Sequence, residues 1–431
     1  MVQKAGSLID VMNLFKPIAL TGGQAAIYQK TAAARDGAVY EFHEGLYKQL
    51  ISSDSYMRLL VVGHGGCGKS TELHMLEPKL TDNGTPVIFI EALDTLDLNN
   101  FTFVDLLMLI IEKLAQYAEA RNININKSVI SSFQKALSTK ITQEYWGVGA
   151  ELGADASVEI SSPLALFLSV VAKITSSLKM ASGLKEELRR EIKPNIEAII
   201  RSLNAFINDL RDKSKSRRPV AIILDGLEKS RRECIKRLFI DDSVFMSNID
   251  AHFVVACPIA IYRSADAAVL SRYFTSDATI PMIKTHNQDG SMYGAGISVI
   301  KELVLKRADE SYFESGVLEK IIIKTGGSLR DACYLISNSA FEADMKGRES
   351  IDMASVDFAI KKFAIKVFFR VNSSLYPRLK KIYGGNLMAV QDNELSELLY
   401  SEAVFEYNDD RWVDLHPLVR DYIDGRPGIL D

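Results

Sequence analysis

Cysteine is scarce in this chain. Cys67, Cys234, Cys257 and Cys333 are widely spaced and form no CxxC pair, which argues against a disulfide framework or a zinc ribbon and for reduced thiols in a cytoplasmic protein. The six histidines show no metal-ligand spacing. Charge of one sign is lacking too. The 51 Lys and Arg against 55 Asp and Glu leave −4, so nothing draws the whole chain to nucleic acid or an anionic membrane. Long apolar runs are missing: the most apolar stretch, Pro163 to Ala172, ends at Lys173 and is too short to span a bilayer, so no membrane association is expected. No charged segment followed by an apolar core opens the chain, so no signal peptide is expected. What remains is ordinary globular material, 431 residues with 47% apolar and 25% charged, enough for two or three domains with a sizeable core.

Against that plain background one segment stands out. Residues 63–71 read Gly63-His64-Gly65-Gly66-Cys67-Gly68-Lys69-Ser70-Thr71, fitting the phosphate-loop pattern G-x-x-x-x-G-K-[ST]. The strand-like run Arg58-Leu59-Leu60-Val61-Val62 precedes it, and the helix-like Glu72-Leu73-His74-Met75-Leu76 follows. The fixed positions alone would arise by chance in roughly one chain of this length per hundred. The competing reading is a glycine-rich turn, which does not explain a lysine and two hydroxyls following at once. Gly63, Gly65, Gly66 and Gly68 let backbone N–H groups approach phosphate oxygens. The helix beginning near Lys69 points its free amides at the same anion. Lys69 can reach the β- and γ-phosphates, and Ser70 offers a hydroxyl to Mg²⁺. His64 and Cys67 fill variable positions, and Cys67 reads most simply as a small residue in a tight loop.

Residues 1–57 read as a lead-in with a helix near Tyr40 to Ile51. Strand, loop and a helix to about Leu80 form the first β–α unit, and Pro86-Val87-Ile88-Phe89-Ile90 a second buried strand. Phe103 to Tyr117 carries helical periodicity. Residues 121–183 read as an insertion, either an interaction element or a loop with a small satellite core. Within it Val158-Glu159-Ile160 looks extended, and Pro163–Ile174 fits either a strand or a buried helix. Leu184 to Leu210 is helical, broken or kinked at Pro194.

Val220-Ala221-Ile222-Ile223-Leu224-Asp225-Gly226-Leu227-Glu228 is an aliphatic strand ending in an acid. Asp225 is expected at the carboxyl end of a parallel strand beside the phosphate loop, holding the Mg²⁺ shell. Glu228 is placed to orient or deprotonate an attacking water. The plain alternative is a buried strand closed by an Asp-Gly turn. Ala251 to Pro258 reads as the next strand. No Asn or Thr stands at its end, and Arg263 is the nearest polar candidate there.

The order of these elements resembles the AAA+ and STAND families of P-loop ATPases, nearest to origin-recognition-type and NACHT-like members, over about residues 40–430. Asp225-Gly226-Leu227-Glu228 is similar to the Asp-Gly-Leu-Asp/Glu end of a Walker B strand, although AAA+ enzymes more often carry adjacent Asp-Glu. Ser271-Arg272-Tyr273-Phe274 resembles the stretch that supplies an arginine to a neighbour's site, the competing reading of Arg272 being a surface residue. Thr325-Gly326-Gly327-Ser328-Leu329-Arg330-Asp331 looks like a sensor 2 motif, with Arg330 over the γ-phosphate; otherwise it is only a helix start. The implied fold is an α/β P-loop NTPase with a parallel sheet and helices on both faces, followed by a helical lid and a winged helix. The boundaries are 58–285 for the core, 286–363 for the lid and 364–431 for the winged helix. In the last, Tyr376–Tyr383 and Asp392–Tyr400 read as helices. Residues 403–407 and 411–415 read as a hairpin turning at Asn408-Asp409-Asp410 and closed by His416-Pro417-Leu418-Val419.

Charge argues against groove reading by that module. Asp392 to Asp431 holds 11 acids and three arginines, and an acidic helix is repelled by phosphates. Residues 361–381 hold seven Lys and Arg and no acid, and Lys229, Arg231, Arg232, Lys236 and Arg237 follow the second motif. Both read first as solvated faces, with nucleic acid or a subunit contact as the alternative. The resemblance implies ATP and Mg²⁺ as cofactors, with three competing uses. One is a switch that forms a homo-oligomer on ATP binding and engages a protein partner in defence or signalling. The second is an ATP-dependent DNA loader, and the third a nucleotide-binding scaffold that hydrolyses little.

Overall fold

The computed structural model describes the chain apart from residues 1–3, 21–23, 25–26, 36–38, 138, 148–161, 181–182, 215–216, 386, 389–391, 408–411 and 427–431. Among the described residues, no helix is long and apolar enough to cross a membrane. All four cysteines are buried and free.

Five segments build a parallel sheet: β1 (Arg58–Gly63), β2 (Val87–Glu91), β3 (Ala221–Asp225), β4 (His252–Pro258) and β5 (Ser276–Ile280), in the order β2-β3-β4-β1-β5. Alternation sorts the side chains to two faces. Leu59, Val61, Ala221, Ile223, Val254, Ala256 and Ile280 pack with α2 (Phe42–Ser52) and α3 (Lys69–Asp82). Leu60, Val62, Ile222, Leu224, Phe253 and Val255 pack into the larger cluster on the other face. That cluster includes α4 (Phe103–Ala120), α5 (Lys127–Ala136), α6 (Pro163–Lys179), α7 (Gly183–Ile192) and α8 (Ile196–Lys213). Strands covered on both faces by helices must be apolar throughout, and every residue of β3 and β4 is buried. β5 escaped the sequence reading because it is a short edge strand, Ser-Asp-Ala-Thr-Ile, with one fully buried residue.

The strand order corrects one expectation. The neighbours of β1 are β4 and β5, so the strand carrying Asp225 does not lie beside the strand carrying the loop. The fully buried β4 takes the position between them.

The ambiguous segment Pro163–Ile174 is helical, with Ser162 accepting from Ala165 N at 3.1 Å as the N-cap. Phe167 lies 5.0 Å from Phe133 and 6.2 Å from Phe206 between ring centroids, so α6 is part of the main core. Val158-Glu159-Ile160 lies outside the described residues. Pro194 converts the long helix into α7, a 3₁₀ turn at Lys193–Asn195, and α8. Buried Arg189 on α7 donates to both oxygens of Asp105 at 3.0 Å, tying α7 to the N-terminus of α4.

The lid follows as α9 (Gly294–Leu305), α10 (Val317–Lys324), α11 (Leu329–Met345) and α12 (Met353–Phe368). The chain's first helix, α1 (Leu8–Leu14), packs on α11, so the lead-in spans core and lid. The C-terminal module comprises α13 (Tyr376–Tyr383), α14 (Asn393–Tyr400), α15 (Pro417–Asp424) and an antiparallel sheet of β6 (Leu387–Met388), β7 (Val404–Tyr407) and β8 (Trp412–Leu415) in the order β6-β8-β7. His416 closes the hairpin, its N donating to Ala403 O at 2.8 Å, and the chain then turns at once into α15, with Pro417 in the first turn, where its missing N–H costs nothing. The expected turn at 408–410 lies outside the described residues.

Candidate nucleotide-binding site

The loop bends where β1 ends. Gly66 and Gly68 take φ of 80° and 109°, which bulkier residues disfavour, and α3 begins at Lys69. Lys69 is 4% exposed, and its ammonium donates to the carbonyls of Gly63 at 2.9 Å and His64 at 2.8 Å. The lysine charge is therefore held within the loop. Ser70, on the first turn of α3, lies close enough to Asp225 to favour its carboxylate form, even though β4 separates β3 from β1. The helix after the loop, not an adjacent strand, brings the two metal-holding candidates near each other. Asp225 is buried, and burial followed by the charge of Glu228 raises its pKa. Asp225 Oδ1 and Glu228 Oε2 are buried oxygens with no hydrogen-bond partner. Such orphaned acceptors fit a cation or an ordered water.

A cavity of about 690 Å³ opens over the loop. Lys69, Ser70, Thr71 and Glu228 line its floor. Its apolar wall includes Ile18 and Leu20 from the lead-in and Leu303 and Leu329 from the lid. Arg35, also from the lead-in, donates from Nη2 to Cys67 O at 2.6 Å, and from Nη1 to Pro281 O. Glu72 on α3 accepts from Tyr28 at 2.7 Å and bonds His43 Nδ1 at 2.8 Å. The segment read as a lead-in thus supplies part of the cavity wall.

The lid meets the loop through the Gly326-Gly327 turn. A Cβ on Gly327 would lie 1.7 Å from Ile283 O, and its φ is 89°, so only glycine permits this approach. Ser328 caps α11, and Leu329 N donates to Gly66 O at 3.0 Å. Arg330 then lies against the loop: a Cβ on Gly65 would fall 2.8 Å from its Nη1 and 2.1 Å from Glu402 Oε1.

Glu402, in the C-terminal module, holds a left-handed backbone at φ 60°. It pairs with Arg330 and, at 2.9 Å, with Arg370. Glu402 carried no sequence signal, and Arg370 stood out only as a member of the basic cluster at 361–381, because the pairs join residues 32 or more positions apart. His64 is 1% exposed and accepts Glu406 N on Nε2 at 2.8 Å. Burial, with the charges of Lys69, Arg263 and Arg330, pushes its pKa down to about 3. Arg263 does not line the cavity. It forms a buried pair with Glu406, with Nε to Oε2 at 2.8 Å, so the residue nearest the end of β4 is an anchor for β7. Arg272 is exposed on the short helix Leu270–Tyr273, outside the cavity wall.

No family model matches the chain, and no curated protein matches it. Among solved structures it is similar to the Aeropyrum pernix ORC2 protein in its ADPNP-ADP complexes, at 12% identity and TM-score 0.41, covering 96% of each chain. It is similar to the Aeropyrum pernix ORC1 protein in complex with DNA, at 12% identity and TM-score 0.39, covering 97% of this chain and 96% of that one. For the Thermotoga maritima RuvB Holliday junction branch migration motor the values are 10% and 0.33, with 89% and 93% covered. Likeness at this level assigns no family. The parallel sheet and the glycine loop between β1 and α3 define the class, an α/β P-loop NTPase fold with a helical lid.

Proposed function

We propose that the chain is an ATP-binding and ATP-hydrolysing switch of the AAA+/STAND type, whose C-terminal module, read as a winged helix, docks or releases with nucleotide state. The observation that carries this reading is Glu402. Its carboxylate reaches the loop at Gly65 and is held by Arg330 and Arg370. A polyphosphate in the loop is an anion competing for the same guanidinium, so binding and docking are coupled.

The residues divide the work. Loop amides and Lys69 bind phosphate, and Ser70 and Asp225 would hold Mg²⁺, which neutralises phosphate charge when bound. The orphaned oxygens of Asp225 and Glu228 fit that group, and Glu228, on the cavity floor, orients the water. Arg330 stabilises γ-phosphate charge once freed from Glu402. The apolar wall of Ile18, Leu20, Leu303 and Leu329 suits a base. Arg272, exposed and away from this cavity, remains the candidate to complete a neighbour's site in a homo-oligomer.

Docking also bears on DNA. Ser396 on α14 donates to Ala260 O at 2.7 Å, and Glu397 pairs with Arg232 at 3.1 Å. The helix that would read a groove faces the core in this state. The test is sizing of the full chain with no nucleotide, ADP and a non-hydrolysable ATP analogue, each with and without DNA. ATP-dependent assembly without DNA affinity supports the switch. Salt-dependent DNA binding that rises with ATP selects a loader, and tight binding with negligible turnover selects a scaffold. Lys69→Ala with unchanged ATP binding and turnover overturns all three.

A further inference from the structure

A second group of donors lies outside the lining of the cavity. β2 and β3 pair in register, so their last residues, Glu91 and Asp225, are direct partners at the carboxyl end of the sheet. His74, one turn beyond Ser70 on α3, completes the group. One donor atom from each of the three lies within 4.8 Å of the others. His74 Nε2 and Glu91 Oε1 are 3.0 Å apart, about the separation of two neighbouring ligands each ~2.1 Å from an ion. The His74 ring is stacked on Phe89, with centroids 4.5 Å apart and planes at 8°, which fixes the direction of its nitrogens. Asp225 is 4% exposed and keeps the partnerless Oδ1. The Glu91 side chain is 43% exposed and provides the path to solvent.

We propose that His74, Glu91 and Asp225 form a binding site for a divalent first-row transition ion, occupied without nucleotide and sharing only Asp225 with the Mg²⁺ position expected at Ser70. Imidazole beside two carboxylates suits Mn²⁺, Fe²⁺ or Zn²⁺, whereas Mg²⁺ prefers oxygen ligands and gives up its waters reluctantly. The surroundings favour a cation. Glu77 from α3 and Glu228 after β3 add carboxyl groups within electrostatic range, and the ammonium of Lys69 faces Asp225. A His–Glu hydrogen bond alone would satisfy His74 and bring no partner to Asp225 Oδ1, the oxygen that Mg²⁺ at the nucleotide site would also claim. Through Asp225 the ion would share a ligand with the nucleotide site, so its occupancy bears on how that carboxylate holds Mg²⁺.

The experiment uses the full chain stripped of metal and nucleotide. Mn²⁺ is titrated in and the loss of the free-ion paramagnetic resonance signal is followed. One Mn²⁺ is expected to bind without ATP, with Mg²⁺ displacing it only at tenfold or higher concentration. Glu91→Gln, at a half-exposed position that leaves the fold intact, and His74→Gln should each weaken Mn²⁺ binding tenfold or more. Lys69→Ala should lose ATP while keeping Mn²⁺, which separates this site from the nucleotide reading. Uptake of Mn²⁺ only together with ATP, or Glu91→Gln with wild-type affinity, overturns the proposal.

Discussion

The floor and the roof of the nucleotide cavity are built on opposite principles. The floor is a continuous piece of chain, β1, the loop and α3. The cation within the loop, Lys69, is 4% exposed and held by carbonyls five and six residues away. The roof is assembled from the lead-in, the lid and the C-terminal module. Its key cations are much more open: the Arg330 and Arg370 side chains are 37% and 42% exposed, joined through Glu402 at 16%. Buried backbone acceptors hold a charge in one place, while partly solvated ion pairs exchange partners at a cost of about 1 kcal/mol or less. A rigid anion cradle under an exchangeable charged cover is the arrangement a switch requires.

The sharpest way to break the contrast is at the seam. Gly327→Ala puts a methyl carbon 1.7 Å from Ile283 O at a backbone φ of 89°. Chemical denaturation should read a loss of about 3 kcal/mol or more, whereas an unchanged midpoint would mean the lid does not seat on the loop this way. On the floor, Lys69→Ala should weaken ATP binding ~100-fold by calorimetry, about 2.7 kcal/mol.

Acid probes the floor and the far end of the sheet together. Burial and neighbouring charges lower the His64 pKa to about 3, and burial lowers that of His252 to about 4. An unfolded histidine titrates near ~6.5. Between those values the unfolded chain binds the extra protons, so stability rises with pH through that window and levels off above it. Each histidine contributes up to about 1.4 kcal/mol per pH unit. Replacing His64 with Gln, which keeps an acceptor for Glu406 N, should flatten the slope in urea titrations from pH 4 to 7.

The roof should respond more gently. Glu402→Gln frees Arg330 and Arg370, and ATP affinity should rise about fivefold, ~1 kcal/mol. A fall in affinity would mean that Glu402 positions Arg330 and does not compete for it. Smallest of all, Arg272→Ala should leave ATP affinity of the single chain unchanged. A turnover defect that appears only at assembly-promoting concentrations would assign it to a neighbour's site.

Legibility followed sequence distance. The loop, the strand ending in Asp225, the helix at 376–383 and the lid helices were readable because glycine spacing, aliphatic runs and helical periodicity are local. Ser70 and Asp225 were read as two holders of one metal, and the strand ending in Asp225 was wrongly placed beside β1, because no local pattern states sheet order. β5 was missed since an edge strand need not be apolar. Pro163–Ile174 stayed ambiguous because a buried helix and a buried strand share an apolar run. Arg35, Glu402, His74 and Glu91 stayed silent, each being an ordinary polar residue until folding gives it a neighbour, and Arg370 was visible only as one of a basic cluster.

The sequence by itself determined where an anion can be cradled and which strand ends in an acid, because glycine conformations, helix amides and strand propensity act over a few residues. Only the tertiary structure decided that β4 separates those two strands, that a glutamate from the last module reaches the loop, and that His74, Glu91 and Asp225 converge. Those outcomes depend on how apolar faces stack and on which charges are left unpaired when they do, and both are properties of the packed chain as a whole.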